Sequence, residues 1–303
     1  MRLNFHTLDV FTVQRLAGNP LAVVLDADAL DTMRMQAIAR EFNLAETVFV
    51  MKPANPAHSA RIRIFTPATE LPFAGHPTVG TAVLLAELRT PGEGGERDAI
   101  VALEESIGLV RVGVRLRPGE AAYGEFDAPR LPEDTGLPPP PERLAAALGL
   151  LPSEVSFANH RPTQYSAGVP FTFVPVASLE AIARAEPQPQ HWITAFGASR
   201  AGMAFIYCRE TVHTASSFHA RMFAPGAGIA EDPATGSAAA AFAGVLHRFD
   251  APPDGMHKRI IEQGYEMGRP SEITLSIEVE RGNVAAVRIG GCAVLVGEGR
   301  IEV

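Results

Sequence analysis

Cysteine, lysine and tryptophan are almost missing from this 303-residue chain, which has two cysteines, one tryptophan and, as lysines, only Lys52 and Lys258. Cys208 and Cys292 cannot build a disulfide framework or a cysteine-rich metal site. Both lie in apolar surroundings, as free thiols in or beside strands do. No apolar run approaches the roughly 20 residues that span a bilayer. The most apolar run, Ser237 to Leu246, falls far short. The opening Met1-Arg2-Leu3-Asn4-Phe5-His6 alternates like a strand and lacks the apolar stretch of a secretion signal. The expectation is a cytoplasmic protein with no membrane partner. Positive charge is also in deficit, with 26 Lys+Arg against 34 Asp+Glu and a formal net charge of -8. A general nucleic-acid binder needs a basic surface, so no nucleic-acid partner is expected. A small anion remains possible, because local donors can hold it inside an acidic protein.

Several motifs are absent as well. No phosphate-binding loop ends in Gly-Lys-Ser/Thr, no Gly-x-Gly-x-x-Gly follows a strand, and there is no Gly-x-Ser-x-Gly elbow. The nine histidines form no i, i+4 pair on a helix, so no metal is expected. His213 and His219 share a strand region, and the pattern gives them no carboxylate or cysteine partner. Chemistry without a cofactor, done by side chains alone, fits these absences.

What is present is enough apolar material for substantial cores, at 47% hydrophobic residues, and a length that favours two domains. Strands are predicted at 3–12, 21–25, 48–51 and 61–65. Between them, Met35, Ile38, Ala39 and Phe42 follow helical spacing, with Asp31 or Thr32 as cap. A turn at 72–77 precedes a helix over 78–88, and 99–103 with 109–116 reads as a hairpin. Residues 117–152 are rich in proline and read as a connection with one short helix, 143–148. Further strands are predicted at 155–158, 171–176, 203–208 and 218–223, then a helix over 237–248, and strands at 272–280, 284–289 and 293–296. The division expected is 1–120 and 121–303, with terminal strands free to cross over.

The two halves carry a weak repeat. Arg63-Ile64-Phe65-Thr66-Pro67 resembles Arg221-Met222-Phe223-Ala224-Pro225, and Glu70-Leu71-Pro72-Phe73-Ala74-Gly75-His76 lines up with Glu231-Asp232-Pro233-Ala234-Thr235-Gly236-Ser237. Each is followed by a helix apolar on nearly every side, which must be buried all round. The economical architecture is one helix wrapped by a curved sheet, made twice.

Three features can carry chemistry. Gly75-His76 and Gly236-Ser237 each put glycine and a polar side chain at a helix start, where unpartnered N–H groups and the helix dipole favour an anion such as a carboxylate. Ordinary N-capping by Ser237 and a satisfied surface His76 are equally open at this point. Glu46 stands at the start of an apolar strand, where partial desolvation would make it a general acid/base; a solvated glutamate at a strand end has the same sequence. Asp232 can be a turn former, orient a substrate amine, or set the protonation of His76.

At these residues the chain resembles the phenazine-biosynthesis PhzF-like isomerases, which have the diaminopimelate-epimerase-like fold. The resemblance rests on Asp9-Val10-Phe11-Thr12, Gly18-Asn19-Pro20-Leu21-Ala22-Val23, Asn43-Leu44-Ala45-Glu46-Thr47, Pro72 to Thr78 and Glu231 to Ala238. It implies an α/β (α+β) fold of two pseudo-symmetric halves, each a curled, mostly antiparallel sheet around a central helix, with the active site between them. It further implies Glu46 as catalytic acid/base, His76 and Asp232 as supporting catalytic residues, Ser237 as an active-site residue, Gly75 and Gly236 as the backbone meeting a substrate carboxylate, and a homodimer. Two-thiol members of the wider fold carry Cys-Gly at both helix starts; here those places read Ala74-Gly75 and Thr235-Gly236. The expected activity is therefore cofactor-independent isomerisation of a small carboxylate-bearing metabolite with amino or hydroxy substituents, Glu46 shuttling the proton. An amino-acid racemase or epimerase using Glu46 and Asp232, and a non-catalytic small-molecule binding protein, are the alternatives.

Overall fold

The computed structural model describes residues 1–89, 95–197 and 202–303. Two compact units divide the chain, residues 1–127 with 290–303, and residues 128–289. The fold is mixed α+β and mostly antiparallel.

The first unit runs β1 (Arg2–Val10), β2 (Asn19–Val24), α1 (Thr32–Phe42), β3 (Glu46–Met51), β4 (Ala60–Phe65), β5 (Glu70–Leu71), α2 (Gly75–Arg89), β6 (Arg97–Glu105), β7 (Gly108–Leu116) and β8 (Ala122–Asp127). Strand β1 pairs antiparallel with β2 and with the returning end of the chain's last strand. Parallel pairs need a crossover, and helices supply both here. Helix α1 makes β2 and β3 parallel, and α2 does so for β4 and β6. Asp31 caps α1 by accepting the Arg34 N–H at 2.8 Å. Asn43 ends it in the left-handed region (φ 51°), which asparagine tolerates better than most residues. On one side of the sheet, α1 packs Met35, Ile38 and Ala39 against Phe49 and Phe65. Helix α2 is buried nearly all round and touches β1, β2, β3, β6, β7 and β8. It starts three residues earlier than its sequence suggests. Pro77 reads as the end of a turn, but proline is at home in a helix's first turn, where its missing N–H costs no bond.

The second unit repeats this order. It holds β9 (Glu133–Gly136), α3 (Pro141–Leu148), β10 (Thr163–Ser166), β11 (Pro170–Pro175), α4 (Leu179–Arg184), α5 (Pro189–Phe196), β12 (Ala204–Cys208), β13 (Phe218–Ala224), β14 (Ile229–Asp232), α6 (Gly236–Asp250), β15 (Gly255–Gln263) and β16 (Ser271–Glu280). Parallel pairs again fall at the two crossovers, β11 with β12 and β13 with β15. Helix α6 is buried like α2, with Phe242 ringed by Phe173, Phe205, Tyr207 and Phe218. On the other face, α3, α4 and α5 close a core of Leu144, Leu148, Ile182, Trp192 and Phe196 over Ile206 and Phe223. One continuous strand, β17 (Asn283–Glu302), replaces the two short ones expected at 284–289 and 293–296.

Two further expectations change. Residues 117–152 are not a bare connection, since β8 pairs with β7 and α3 supplies core residues. Residues 155–158 form no strand. Ser156 and Ala158 have φ of 100° and 45°, outside extended backbone, and only single bridges form there.

The repeat extends to individual bonds. Strand registers Ala60↔Leu103 and Arg61↔Glu104 match Phe218↔Ile261 and His219↔Glu262 at one constant offset. Glu104 accepts the N–H groups of Ala54 and Asn55 at 2.7 and 2.9 Å; Glu262 accepts those of Val212 and His213 at 2.5 and 3.1 Å. Arg63 forks onto Glu70 at 2.7 and 2.6 Å, and Arg221 onto Glu231 at 2.8 and 2.9 Å. The surroundings of this last pair differ. Arg63 and Glu70 are 25% and 30% exposed, whereas Arg221 and Glu231 are 9% and 14% exposed. Arg221 also donates to the carbonyls of Ile182, Ala183 and Ala185. Arg221→Ala should therefore destabilise by about 3–5 kcal/mol, leaving a carboxylate and three carbonyls without their cation. Arg63→Ala should cost about 1 kcal/mol or less, because water screens the pair. Urea denaturation of the two variants checks this, and equal losses would refute it.

Candidate active site

Glu46 is placed by two local devices. Asn43 stops α1, and three residues later the chain joins β3, where Glu46 stands opposite Leu21 of β2. Leu21 in turn lies in β2, which begins directly after Gly18. Gly18 has φ 64°, and a Cβ there would lie 2.4 Å from the Val10 carbonyl oxygen, so only glycine fits. The Glu46 side chain is 12% exposed, and its Oε2 lies 3.3 Å from His76 Nε2. The contact is within reach of a hydrogen bond but is not aligned as one.

His76 is the second residue of α2, following Gly75, and both are buried. Burial lowers the His76 pKa to about 3, so the imidazole is neutral at working pH. Exposed surface is not its setting. His219 shows the opposite outcome. The sequence pattern gives it no carboxylate partner, but Glu262 and Glu266 bind its two ring nitrogens at 2.8 and 3.0 Å. Burial works against its charge, yet those two carboxylates outweigh it and raise the pKa to about 9.

In the second unit, Asp232 ends β14 and is 8% exposed. Its Oδ2 accepts the Thr235 hydroxyl at 2.6 Å. Ser237 is not the cap of α6. Thr235 holds that position and turns its hydroxyl to Asp232, so no side chain caps the helix. Gly236 is buried and Ser237 half-buried in the first turn. Sequence reasoning missed the residue that fixes this segment, Gln263. Fully buried at the end of β15, it donates to the Asp232 carbonyl at 2.7 Å and to Thr235 Oγ1 at 3.1 Å, and accepts the Thr235 N–H at 3.2 Å. The next residue, Gly264 (φ 80°), lets the backbone pass Pro233. The only sequence signal for Gln263 was its place in the repeat, and Gly255 to Gln263 is too charged to read as a buried strand.

The sequence-proposed residues thus form two clusters, Glu46 with Gly75 and His76 in the first unit, and Asp232 with Gly236 and Ser237 in the second. The first offers a carboxylate beside a neutral imidazole at a helix start. The second offers a carboxylate held by a threonine at an uncapped helix start. Cys208 takes no part: burial pushes its thiol up to about 12. Among the described residues no group of three or more His, Cys, Asp and Glu is arranged to hold a metal, and no helix is long and apolar enough to cross a membrane.

Comparison with known proteins agrees with this arrangement of motifs. Residues 8–299 match the profile of the PhzC-PhzF family, described as phenazine biosynthesis-like protein. An uncharacterized isomerase of Mesorhizobium japonicum is 55% identical over 98% of both chains. The trans-2,3-dihydro-3-hydroxyanthranilate isomerase of Pseudomonas aeruginosa is 36% identical over 97% of both. A crystal structure of a Bacillus anthracis PhzF-family phenazine biosynthesis protein superposes with a TM-score of 0.87 at 26% identity, covering all of both chains.

The neutral state of His76 has a pH signature. The unfolded chain takes up the proton near 6.5 and the folded one near 3, so stability from this residue is full above 6.5 and is lost as pH falls from 6.5 towards 3. Thermal denaturation should show a shallower acid loss for His76→Asn than for the wild type. Parallel acid limbs would contradict a neutral, buried His76.

Proposed function

The chain belongs to the phenazine-biosynthesis-like PhzC-PhzF family and is an isomerase, and from that premise we propose that Glu46 carries the proton in a side-chain acid/base isomerisation of a small carboxylate-bearing substrate. One observation carries this reading: a nearly buried carboxylate stands 3.3 Å from a histidine that is neutral at working pH. A histidine held near 3 is a hydrogen-bonding partner and not a proton carrier. That leaves Glu46 as the carrier beside the α2 start.

The remaining roles follow from chemistry. The first turn of α2 at Gly75 and the uncapped first turn of α6 at Gly236-Ser237 offer N–H groups and a positive dipole end to carboxylate oxygens. Asp232, with one oxygen fixed by Thr235, suits an amine or hydroxyl on the substrate. In the step proposed, the Glu46 carboxylate takes a proton from a carbon next to a double bond. The electron pair moves the double bond by one position, and the same carboxyl returns the proton to the far carbon. No oxidant or reductant is needed. Trans-2,3-dihydro-3-hydroxyanthranilate, named as the substrate of the 36% identical relative, has the required carboxylate, amine and hydroxyl and is the first compound to test. The absence of cysteine at Ala74 and Thr235 speaks for this one-carrier scheme over a two-base epimerisation.

In deuterated water, turnover should place deuterium on the carbon that receives the proton. Glu46→Gln should lower kcat by about 10²- to 10⁴-fold with an unchanged unfolding transition. Wild-type turnover by that variant would remove Glu46 from the mechanism. A product with inverted configuration and an unmoved double bond would replace isomerisation by epimerisation.

A further inference from the structure

Glu105, the last residue of β6, plays no part in the reaction so far, yet it is a carboxyl group only 9% exposed. The offset that carries Glu104 onto Glu262 carries Glu105 onto Gln263. Both residues reach a threonine at the start of the central helix. Gln263 contacts Thr235 at the head of α6, and Glu105 Oε1 lies 2.8 Å from the Thr78 hydroxyl in the first turns of α2.

The Thr78 hydroxyl has two oxygen neighbours at 2.8 Å, Glu105 Oε1 and the carbonyl of Ala74. A hydroxyl has one hydrogen to give, and a backbone carbonyl has none. If both contacts are hydrogen bonds, Thr78 donates to Ala74 and Glu105 donates to Thr78. Glu105 must then carry a proton. Its surroundings agree. Burial raises its pKa to about 8, and the bond with Thr78 only partly offsets that. Glu104 and its β4 partner Arg61 project to the other face of the sheet, Arg111 on β7 is exposed, and His76 on α2 is neutral. Glu87 sits at the far end of α2. The other oxygen of Glu105, Oε2, has no hydrogen-bond partner among the described residues, a state far less costly for a neutral acid than for a carboxylate.

We propose that Glu105 is a positioning residue for the α2 start: as a neutral acid it donates to Thr78, fixes that hydroxyl on the Ala74 carbonyl, and so holds Gly75 and His76 in place beside Glu46. In the second unit the same place is filled by a carboxamide, a side chain of the same shape that never ionises. When Glu105 loses its proton it can only accept. The single Thr78 hydrogen is then drawn to the carboxylate, and the Ala74 carbonyl keeps only its longer bond from the Thr78 N–H, at 3.2 Å. The consequence for catalysis rests on the proposal that the α2 start belongs to the active site; the bonding itself does not.

The test follows the backbone amide resonances of Gly75, His76 and Thr78 while the pH is raised through about 8. In the wild type they should shift together with a midpoint near that value, and in Glu105→Gln the shift should vanish. With trans-2,3-dihydro-3-hydroxyanthranilate as probe, wild-type kcat/KM should fall over the same range. Glu105→Leu should lose about tenfold at neutral pH, the order of one hydrogen bond, and Glu105→Gln should recover it and abolish the alkaline fall. Amides that stay still near pH 8, or that titrate equally in Glu105→Gln, overturn the proposal. So does a Glu105→Leu enzyme with wild-type kcat/KM. If the probe is not turned over, or Glu46→Gln keeps its activity, the functional reading fails, and the amide titration still decides the role of Glu105.

Discussion

The constraint on which this structure depends is a helix with no solvent face, built into each unit. A helix apolar all round cannot lie on a surface, so its sheet has to curl about it. Close approach then requires small residues. At Gly80 of α2 a Cβ would meet Leu21 and Val10 within 2.7 Å, and at Gly244 of α6 it would meet Tyr165 at 2.5 Å. The crossovers that bring each helix inside create the two parallel pairs of each unit. Such a helix satisfies its own backbone everywhere except at its ends. Its start is therefore a polar place in an apolar surround, and the residues proposed to carry chemistry lie there.

Burial decides the charge of those residues, but partners decide which way. His76 and His219 are both nearly or fully buried, and one is held near 3 and the other near 9. The difference is two aligned carboxylates on His219 against one unaligned contact on His76. His219 belongs to a network that runs through Glu262 and Glu266 to Arg221 and on to Glu231, in which every carboxylate has a cationic partner. The helix starts follow another rule. Around them stand a neutral imidazole, a carboxamide and a carboxyl whose proton the Thr78 geometry calls for. In the proposed reading, an anionic ligand there is met by the N–H groups of the helix start.

Much of this could be read from the residues. The Arg-x-Phe-x-Pro and Glu…Pro…Gly spacing located both central helices, because each residue type there does a local job: a forked ion pair, a turn, a buried start. The Asp31 cap and the 35, 38, 39, 42 spacing located α1 equally well. What was hidden lay where a local signal pointed the wrong way. Pro77 reads as the end of a turn and sits inside a helix's first turn. Capping by Ser237 is one of two readings of its residue type, and Thr235 holds the cap position instead. No strand is predicted over 255–263, because the polar side chains of Gly255-Met256-His257-Lys258-Arg259 face water and only Ile261 to Gln263 are buried, by pairing with β13. Gln263 was missed with that strand, and it holds Asp232 and Thr235 through contacts far apart in sequence. Pattern reading finds elements that fold locally; it does not find the distant residue that fixes a loop.

The scaffold is repeated, but the chemistry is not, and the differences between equivalent places bear on mechanism. Strand registers put Thr47 opposite Phe65 in one unit and Ala204 opposite Phe223 in the other, so the place of Glu46 is taken by Met203. In the same way His76 answers to Ser237, Ala74 to Thr235 and Leu71 to Asp232. A two-base reaction built on the repeat would put a proton carrier at both equivalent places. Here one place has a carboxylate and the other a thioether, which carries no proton. The second unit has its own carboxylate, Asp232, but one oxygen is already committed to Thr235 and the segment is clamped by Gln263. A group so fixed suits recognition better than repeated protonation. The asymmetry between Glu46 and Met203 therefore speaks for the proposed single carrier, one carboxyl that both removes and delivers a proton, over a pair of equivalent bases.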